Sequence, residues 1–146
     1  EAGLGVRNAG YLGASYGDLS ITSEGILVNS GLISSGANTS ITTKGSVDNS
    51  GSISATGNAS IDSTGEVINS GGISANGNVG ILSGNGINNS GQIYASGNTS
   101  LKANGDINNS GLVAAQGNTS LTSTAVNGNI VNTNTSTLAS GLTPDG

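Results

Sequence analysis

The sequence predicts an all-β fold, a right-handed parallel β-helix (solenoid) in which each 20-residue coil supplies three short strands. Two observations carry this prediction: asparagine recurs with a 20-residue period, and the apolar residues between these asparagines alternate with polar ones. Alternation is typical of strands, whereas a helix would repeat its apolar positions every three or four residues. A third observation is that Phe, Trp and Met, which help to fill ordinary globular cores, are absent.

The 20-residue period is visible in several columns of equivalent residues. The asparagine column comprises Asn29, Asn49, Asn69, Asn89, Asn109 and Asn129. Two apolar columns comprise Ile33, Ile53, Ile73, Ile93 and Val113, and Ile41, Ile61, Ile81, Leu101 and Leu121. Self-similarity at a fixed period of this length is the signature of a solenoid, in which like residues stack along one axis.

Three strands fit into each period. In the first regular repeat we expect them near residues 26–28, 32–35 and 39–43, separated by corners rich in Gly and Asn. The side chains expected to point inward are Leu27, Ile33, Ser35, Thr39, Ile41 and Thr43. A strand triplet cannot bury its inner face alone, so about seven coils should stack at ~4.8 Å, the spacing of neighbouring strands. The usual chirality of parallel connections predicts right-handed winding.

The asparagine column is interpreted as structural and not as a ligand-binding site. Asparagine tolerates the left-handed conformation at a turn, and stacked amides can hydrogen-bond to one another in a ladder. Glycine forms a column at a second corner, for which we expect a positive φ. Its members are Gly57, Gly77, Gly97 and Gly117, each followed by asparagine.

The two ends of the chain differ from the middle. Residues 1–24 form an irregular first coil, because Asn8 lies one position further from Asn29 than the period requires and so implies a bulge or a looser turn. Residues 25–124 are the regular repeats, and residues 125–146 form a degenerate coil or a frayed tail. No capping segment is evident, so a piece of a longer shaft is expected. Tyr11 and Tyr16 are expected to cover the exposed core of the first coil, and Tyr94 to point outward.

The composition excludes several classes of function. There is no Cys and no His, which removes disulfides, thiolate metal sites and the commonest metal ligand and general base. Three Lys and Arg residues against eight Asp and Glu residues argue against binding to nucleic acid, which requires a basic surface. No apolar run is long enough to span a membrane. We therefore expect no metal, no cofactor and no nucleic-acid partner.

Some carbohydrate-cleaving enzymes are β-helices, so two carboxylates on one face could form a catalytic pair. Glu66 and Asp106 share a column two coils apart, roughly 10 Å, which touches the range of inverting glycosidases. No neighbouring feature raises a pKa or offers an aromatic platform for a sugar. The sequence therefore predicts no enzyme, with a carbohydrate-active or glycan-binding β-helix as the alternative. Glu24 and Lys44 lie in adjacent coils and are interpreted as a surface ion pair.

The outward positions of the third strand form a neutral array of Asn and Ser. Its members are Asn38/Ser40, Asn58/Ser60, Asn98/Ser100 and Asn118/Ser120, with Gly80 as an interruption. The array is a solvated surface, an ice-binding plane or a set of Asn-x-Ser acceptors for glycosylation. An ice-binding plane requires regular Thr, whereas the neighbouring column reads Thr42, Asp62, Leu82, Lys102 and Thr122.

Repeats of the form V-x-N-S-G-x-I-x-A-x-G-N-x-S-I resemble the filamentous haemagglutinin repeats of large bacterial exoproteins. The resemblance covers residues 25–124 well and 5–24 loosely. It implies a fibre secreted through an outer-membrane two-partner secretion transporter and attached to the bacterial surface. The implied role is that of an adhesin that meets a host or target-cell receptor or glycan, or of a stalk that carries a toxin in contact-dependent growth inhibition. The Asn-Pro-Asn motif of the family's secretion domain and a toxin module are not among these residues.

Overall fold

A computed structural model describes residues 5–141, and over this range the chain is a right-handed parallel β-helix, as predicted. The first sheet contains β1 (Val6–Asn8), β4 (Leu27–Asn29), β7 (Val47–Asn49), β10 (Val67–Asn69), β13 (Ile87–Asn89), β16 (Ile107–Asn109) and β19 (Ile130–Asn132). The second sheet contains β2 (Tyr11–Ala14), β5 (Leu32–Ser35), β8 (Ser52–Ala55), β11 (Gly72–Ala75), β14 (Gln92–Ala95), β17 (Leu112–Ala115) and β20 (Thr137–Ala139). The third sheet contains β3 (Leu19–Ser23), β6 (Thr39–Thr43), β9 (Ala59–Ser63), β12 (Val79–Ser83), β15 (Thr99–Ala103) and β18 (Thr119–Ser123).

Every strand pairs in parallel with the equivalent strand of the next coil. In the regular repeats the partners are one full period apart in sequence, as with Ile33 opposite Ile53 and Ile53 opposite Ile73. Identical side chains therefore stack along the axis, which is why the sequence shows columns. The predicted strands are confirmed with one shift: the first strand of the repeat runs from Leu27 to Asn29, and Ile26 lies half exposed in the preceding corner.

The core consists of three inward-facing apolar columns, one from each sheet, and has almost no access to solvent. Its largest members are Leu27, Ile33, Ile41, Ile53, Ile61, Ile73, Ile87, Ile93, Leu101 and Ile107, none of them more than 1% exposed. Small side chains fill the narrow part of the interior beside the second corner: Ser35, Ala55, Ala75, Ala95 and Ala115. The alternation of buried and exposed residues along each strand produces this arrangement.

The prediction that glycine supplies positive φ at the corners is wrong. Among residues 5–141 the only positive φ belongs to Gly141, and no asparagine has one. Glycine is required because neighbouring coils approach closely: a Cβ on Gly71 would lie 2.0 Å from the carbonyl oxygen of Gly51. At the second corner a Cβ on Gly97 would lie 2.5 Å from the side-chain oxygen of Asn78. Both distances are shorter than any real Cβ contact.

The first coil holds its extra residue in a corner and not in a strand. Residues 15–18 connect its second and third strands, where the next coil uses only residues 36–38. The expectation for its tyrosines is wrong, since Tyr11 is 62% exposed and Tyr16 is 98% exposed. Both lie on the outer surface, and Tyr11 lies over Gly13, where a side chain would collide with the tyrosine ring. Tyr94 is half-buried and occupies an outward position of its strand, as predicted.

At the other end a longer corner displaces the last described coil. Residues 124–129 connect β18 to β19, whereas residues 44–46 make the same connection earlier in the chain. The longer connection changes the spacing, so that Asn109 pairs with Asn132. Of the described residues, 130–132 and 137–139 continue the first and second sheets. Part of the predicted tail, residues 142–146, lies outside the described range.

Candidate functional site

The asparagine column forms a continuous ladder of side-chain hydrogen bonds. Each Nδ2 donates to the Oδ1 of the next asparagine at 2.7–2.8 Å, through Asn8, Asn29, Asn49, Asn69, Asn89, Asn109 and Asn132. The amide also donates to backbone carbonyls; Asn49, for example, reaches the oxygen of Gly72 in the following coil at 3.1 Å. From Asn29 to Asn109 these side chains are at most 2% exposed. Their polar atoms are thus satisfied inside the protein.

The predicted set of six asparagines includes one error. Asn129 does not belong to the ladder, because the longer corner before β19 places Asn132 opposite Asn109. Asn129 is exposed, and its backbone N–H donates to Oδ1 of Asp106 at 2.8 Å. Asn8 also belongs to the ladder, which the sequence did not predict, because it lies 21 residues before Asn29 and not 20. Nothing periodic in the sequence marks Asn132.

A second ladder runs along the exposed corner between the second and third sheets, and sequence reasoning missed it. Here the side-chain oxygen of each residue accepts the backbone N–H of the equivalent residue in the next coil, at 2.7–2.9 Å. Its members are Asp18, Asn38, Asn58, Asn78, Asn98 and Asn118. The column was visible in the sequence, but its bonding depends on the distance between coils. From Asp18 to Asn98 each side-chain oxygen accepts such a bond, and Asn118 ends the ladder as a donor, so these side chains have a structural role.

Asp18 begins this second ladder with a carboxylate in place of an amide. The backbone N–H of Asn38, and then its side-chain amide, donate to Oδ1 of Asp18, each at 2.9 Å. These hydrogen bonds stabilise the ionised form and hold the pKa of the Asp18 carboxyl below its ordinary value of 3.8.

Buried hydroxyl groups close the third corner. Thr43 and Ser63 both donate to the carbonyl oxygen of Gly45 at 2.7 Å, and Ser83 donates to that of Gly65 at 2.8 Å. Throughout residues 5–141, every buried side-chain nitrogen or oxygen has a hydrogen-bond partner. The interior of the described residues therefore contains no side-chain polar atom that lacks a hydrogen-bond partner.

The two carboxylates considered for catalysis are kept apart by one coil, whose equivalent residue is Gly86. Glu66 accepts a hydrogen bond from the amide of Asn88, which in turn accepts one from Asn108 at 2.9 Å. Asp106 accepts the N–H of Asn129. Each carboxylate thus bonds to a neighbouring coil. No group of three His, Cys, Asp or Glu side chains within the described range could hold a metal ion.

The predicted ion pair is confirmed, with Nζ of Lys44 at 2.6 Å from Oε2 of Glu24. Both side chains are more than half exposed, so solvent screens the pair and its contribution is about 0–1 kcal/mol. Within residues 5–141 no helix is long and apolar enough to cross a membrane.

The surface depressions are shallow and lie on the outside of the sheets. One, of about 450 Å³, follows the first corner beside Gly72 and Gln92. Another, of about 340 Å³, lies on the third sheet around Gly80 and Leu82. Neither contains a buried charged group, and neither has the enclosed shape of a typical small-molecule pocket.

Comparison with known proteins identifies the repeats. The family model of the haemagglutinin repeat matches residues 2–71, 52–123 and 86–143. A stretch of 35 residues is 63% identical to the toxin CdiA of Yersinia pestis, covering 24% of this chain and 1% of that protein. The match spans only a small fraction of that relative, and no solved structure matches the chain. Since the family model covers nearly the whole sequence, the chain belongs to the haemagglutinin repeat family.

Proposed function

We propose that the chain is a segment of the shaft of a secreted, surface-attached bacterial exoprotein, which extends a binding or toxin module away from the cell. The observation that carries this proposal is the unbroken parallel pairing of strands from β1 to β19 and from β2 to β20. Each 20-residue coil adds ~4.8 Å of length to the stack. Such a chain converts sequence length into reach.

The bonding pattern suits a load-bearing rod. The backbone hydrogen bonds of all three sheets run from coil to coil, and the two asparagine ladders run in the same direction. Separating two coils would break these bonds together with the buried apolar contacts of that layer. The stability of such a stack is approximately the sum of its coils and their interfaces, so a longer stack resists unfolding at its centre.

One relative supports a toxin stalk as one form of this shaft. The relative in Yersinia pestis is named as a toxin, and the matched segment is 1% of its length. A segment of this kind serves an adhesin equally well, because the stacked coils have no feature specific to either cargo. Its partners in the complete protein would be an outer-membrane secretion transporter and a receptor or glycan on the host or target cell.

The shaft proposal is tested by deletions in the complete exoprotein. Removing residues 45–84, two coils in register, should shorten the fibre by ~10 Å and leave secretion, display and binding intact. Removing residues 45–74 deletes one and a half coils and should impair folding and display, because it joins unlike strands. Loss of target-cell binding after the in-register deletion, with display unchanged, would place the binding site on this segment and refute a purely structural role.

The absence of catalysis is a separate part of the proposal. Glu66 and Asp106 are each hydrogen-bonded to a neighbouring coil and are separated by Gly86. We expect no cleavage of a panel of polysaccharides by the chain, and the same result for Glu66→Gln and Asp106→Asn. Cleavage that disappears in both variants would establish the carbohydrate-active alternative.

A further inference from the structure

Over the five strands β6, β9, β12, β15 and β18, the outer face of the third sheet carries two columns of side chains that are symmetric about β12. The sixth strand, β3, lies beyond β6 and has no counterpart on the other side. We call residues 40–42, 60–62, 80–82, 100–102 and 120–122 the third face. The first column reads Ser40, Ser60, Gly80, Ser100 and Ser120, and the second reads Thr42, Asp62, Leu82, Lys102 and Thr122. When the order of coils is reversed, the first column is unchanged. In the second column, reversal exchanges Asp62 with Lys102. The two threonines at its ends exchange with each other, and Leu82 stays at the centre.

Gly80 at the centre of this face is not required by the fold. A Cβ built on Gly80 meets no atom within 4 Å, and the equivalent position is serine in the neighbouring coils, as at Ser60 and Ser100. The missing side chain leaves the depression of about 340 Å³ beside Leu82, a residue that is 43% exposed. Leu82 is the one apolar side chain in the two outward columns of the third face, and it borders the space that Gly80 leaves open.

The two charges on this face have no partner within the described chain. Asp62 and Lys102 lie one coil below and one coil above Leu82, and neither side chain forms a hydrogen bond or ion pair with any residue between 5 and 141. Glu24 and Lys44, which lie in adjacent coils, do pair with each other. Because the coil of Leu82 separates Asp62 from Lys102, the two charges do not pair with each other and can bind another molecule.

We propose that the third face binds a second copy of this chain, with the two rods antiparallel. The symmetry axis is twofold, lies in the plane of contact and runs along β12. It places Asp62 of each copy opposite Lys102 of the other and brings the two Leu82 side chains together at the centre. Such a contact is self-complementary and closed, and it satisfies both charges. This inference goes beyond the proposed function of a shaft and does not depend on it.

The size of the face predicts a weak contact. Five coils at ~4.8 Å and a strand of ~17 Å give roughly 400 Å² per copy, or about 800 Å² in total. Stable interfaces bury about 1,200–2,000 Å², so single segments should associate only transiently. In the shaft proposed above, copies displayed side by side on one cell would have a high local concentration, which would favour lateral pairing.

A cysteine-free chain allows a direct test of this geometry. Leu82→Cys introduces a single thiol at the symmetry axis, and a short bismaleimide should link two copies through it. The matched control is Ile68→Cys, at a position of similar exposure on the first sheet (37% for Ile68 against 43% for Leu82). We expect Leu82→Cys to cross-link at least about tenfold faster than Ile68→Cys, because a specific contact raises the local concentration of the two thiols. Equal rates for the two variants would overturn the proposal.

Charge reversal tests the predicted pairing independently. Lys102→Glu places like charges opposite each other and should weaken self-association, measured by sedimentation equilibrium, by about tenfold or more. The double variant Asp62→Lys/Lys102→Asp restores opposite charges in exchanged positions and should recover it. Far-UV circular dichroism checks that each variant retains its strands. Unchanged association of Lys102→Glu, or no recovery in the double variant, would show that the two copies do not meet in this way.

Discussion

Asparagine has two distinct structural roles in this protein, which become clear at the scale of single residues. In the first column the amide is buried and acts as both donor and acceptor, as when Asn69 donates to Asn89 while accepting from Asn49. In the second column the amide is exposed, and its oxygen accepts a backbone N–H, as when Asn78 accepts from Asn98. The same residue type at the same period is therefore expected to respond differently to substitution.

Replacing Asn69 by alanine should destabilise the chain strongly. It removes the side-chain acceptor of the buried Nδ2 of Asn49, which keeps only its backbone acceptors, and the donor to the buried Oδ1 of Asn89. Each group left unsatisfied costs about 1–3 kcal/mol. Urea unfolding followed by circular dichroism measures the effect. Asn129→Ala is the control and should stay within about 0.5 kcal/mol of the parent chain, because Asn129 lies outside the ladder. A comparable loss in both variants would contradict the assignment of Asn132 to the ladder.

Asp18 should make the second corner of the first coil sensitive to acid. Because its pKa is lowered in the folded state, its hydrogen bonds to Asn38 contribute stability at neutral pH. That contribution is lost as the pH falls through the folded-state value, which lies below 3.8. Amide exchange at Asn38 should therefore accelerate in acid relative to that at Asn58, after correction for the intrinsic rates.

The matched control for this pH dependence is Asp18→Asn. It places in the first coil the amide that the later coils carry at this position, and the amide oxygen can accept the same N–H without titrating. An acid-induced acceleration that persists in Asp18→Asn would assign the effect to a different group.

At the scale of strands and corners, the sequence predicts where the elements lie but not why the corners contain glycine. The alternation of buried and exposed residues gives the strands to within one residue, as in β6, where Thr39, Ile41 and Thr43 all point inward. The glycines appeared to require unusual backbone angles. Their actual cause is the short distance between equivalent corners of adjacent coils, which is a property of the stack and not of one corner.

Two adjacent glycines provide the sharpest test of this cause. A Cβ on Gly71 would meet the backbone oxygen of Gly51 at 2.0 Å, whereas a Cβ on Gly72 would meet nothing within 4 Å. Gly71→Ala should cost at least about 3 kcal/mol, since backbone atoms cannot move aside easily. Gly72→Ala should be neutral or stabilise by about 0.4–1 kcal/mol through the lower entropy of the unfolded chain. Similar effects in urea unfolding would exclude close approach as the reason for Gly71.

At the scale of the whole molecule, stability should decrease from the central coils towards the last described coil. The central strand β12 buries Val79, Ile81 and Ser83, whereas all three residues of β19 are exposed. Because each coil contacts only its neighbours, a coil with one weak neighbour opens more readily.

Hydrogen exchange measures this gradient. Backbone amides of β9, β12 and β15 should exchange most slowly, and those of β19 and β20 fastest, with β18 intermediate. Ile73 is buried near the centre of the stack. Its replacement by alanine should lower the free energy of unfolding by about 2–5 kcal/mol and increase amide exchange in the coils on both sides. Uniform protection along the chain would show that it unfolds as one cooperative unit and not coil by coil.

The sequence by itself determined the period, the three strands per coil and the inward columns, because each follows from local alternation and from repetition that can be counted. It also placed Asn29, Asn49, Asn69, Asn89 and Asn109 in one column. Only the tertiary structure decided that Asn132 and not Asn129 completes the ladder, and that a second ladder begins at Asp18. These features depend on corner lengths and on distances between coils that lie a full period or more apart in sequence, for which a single repeat carries no signal.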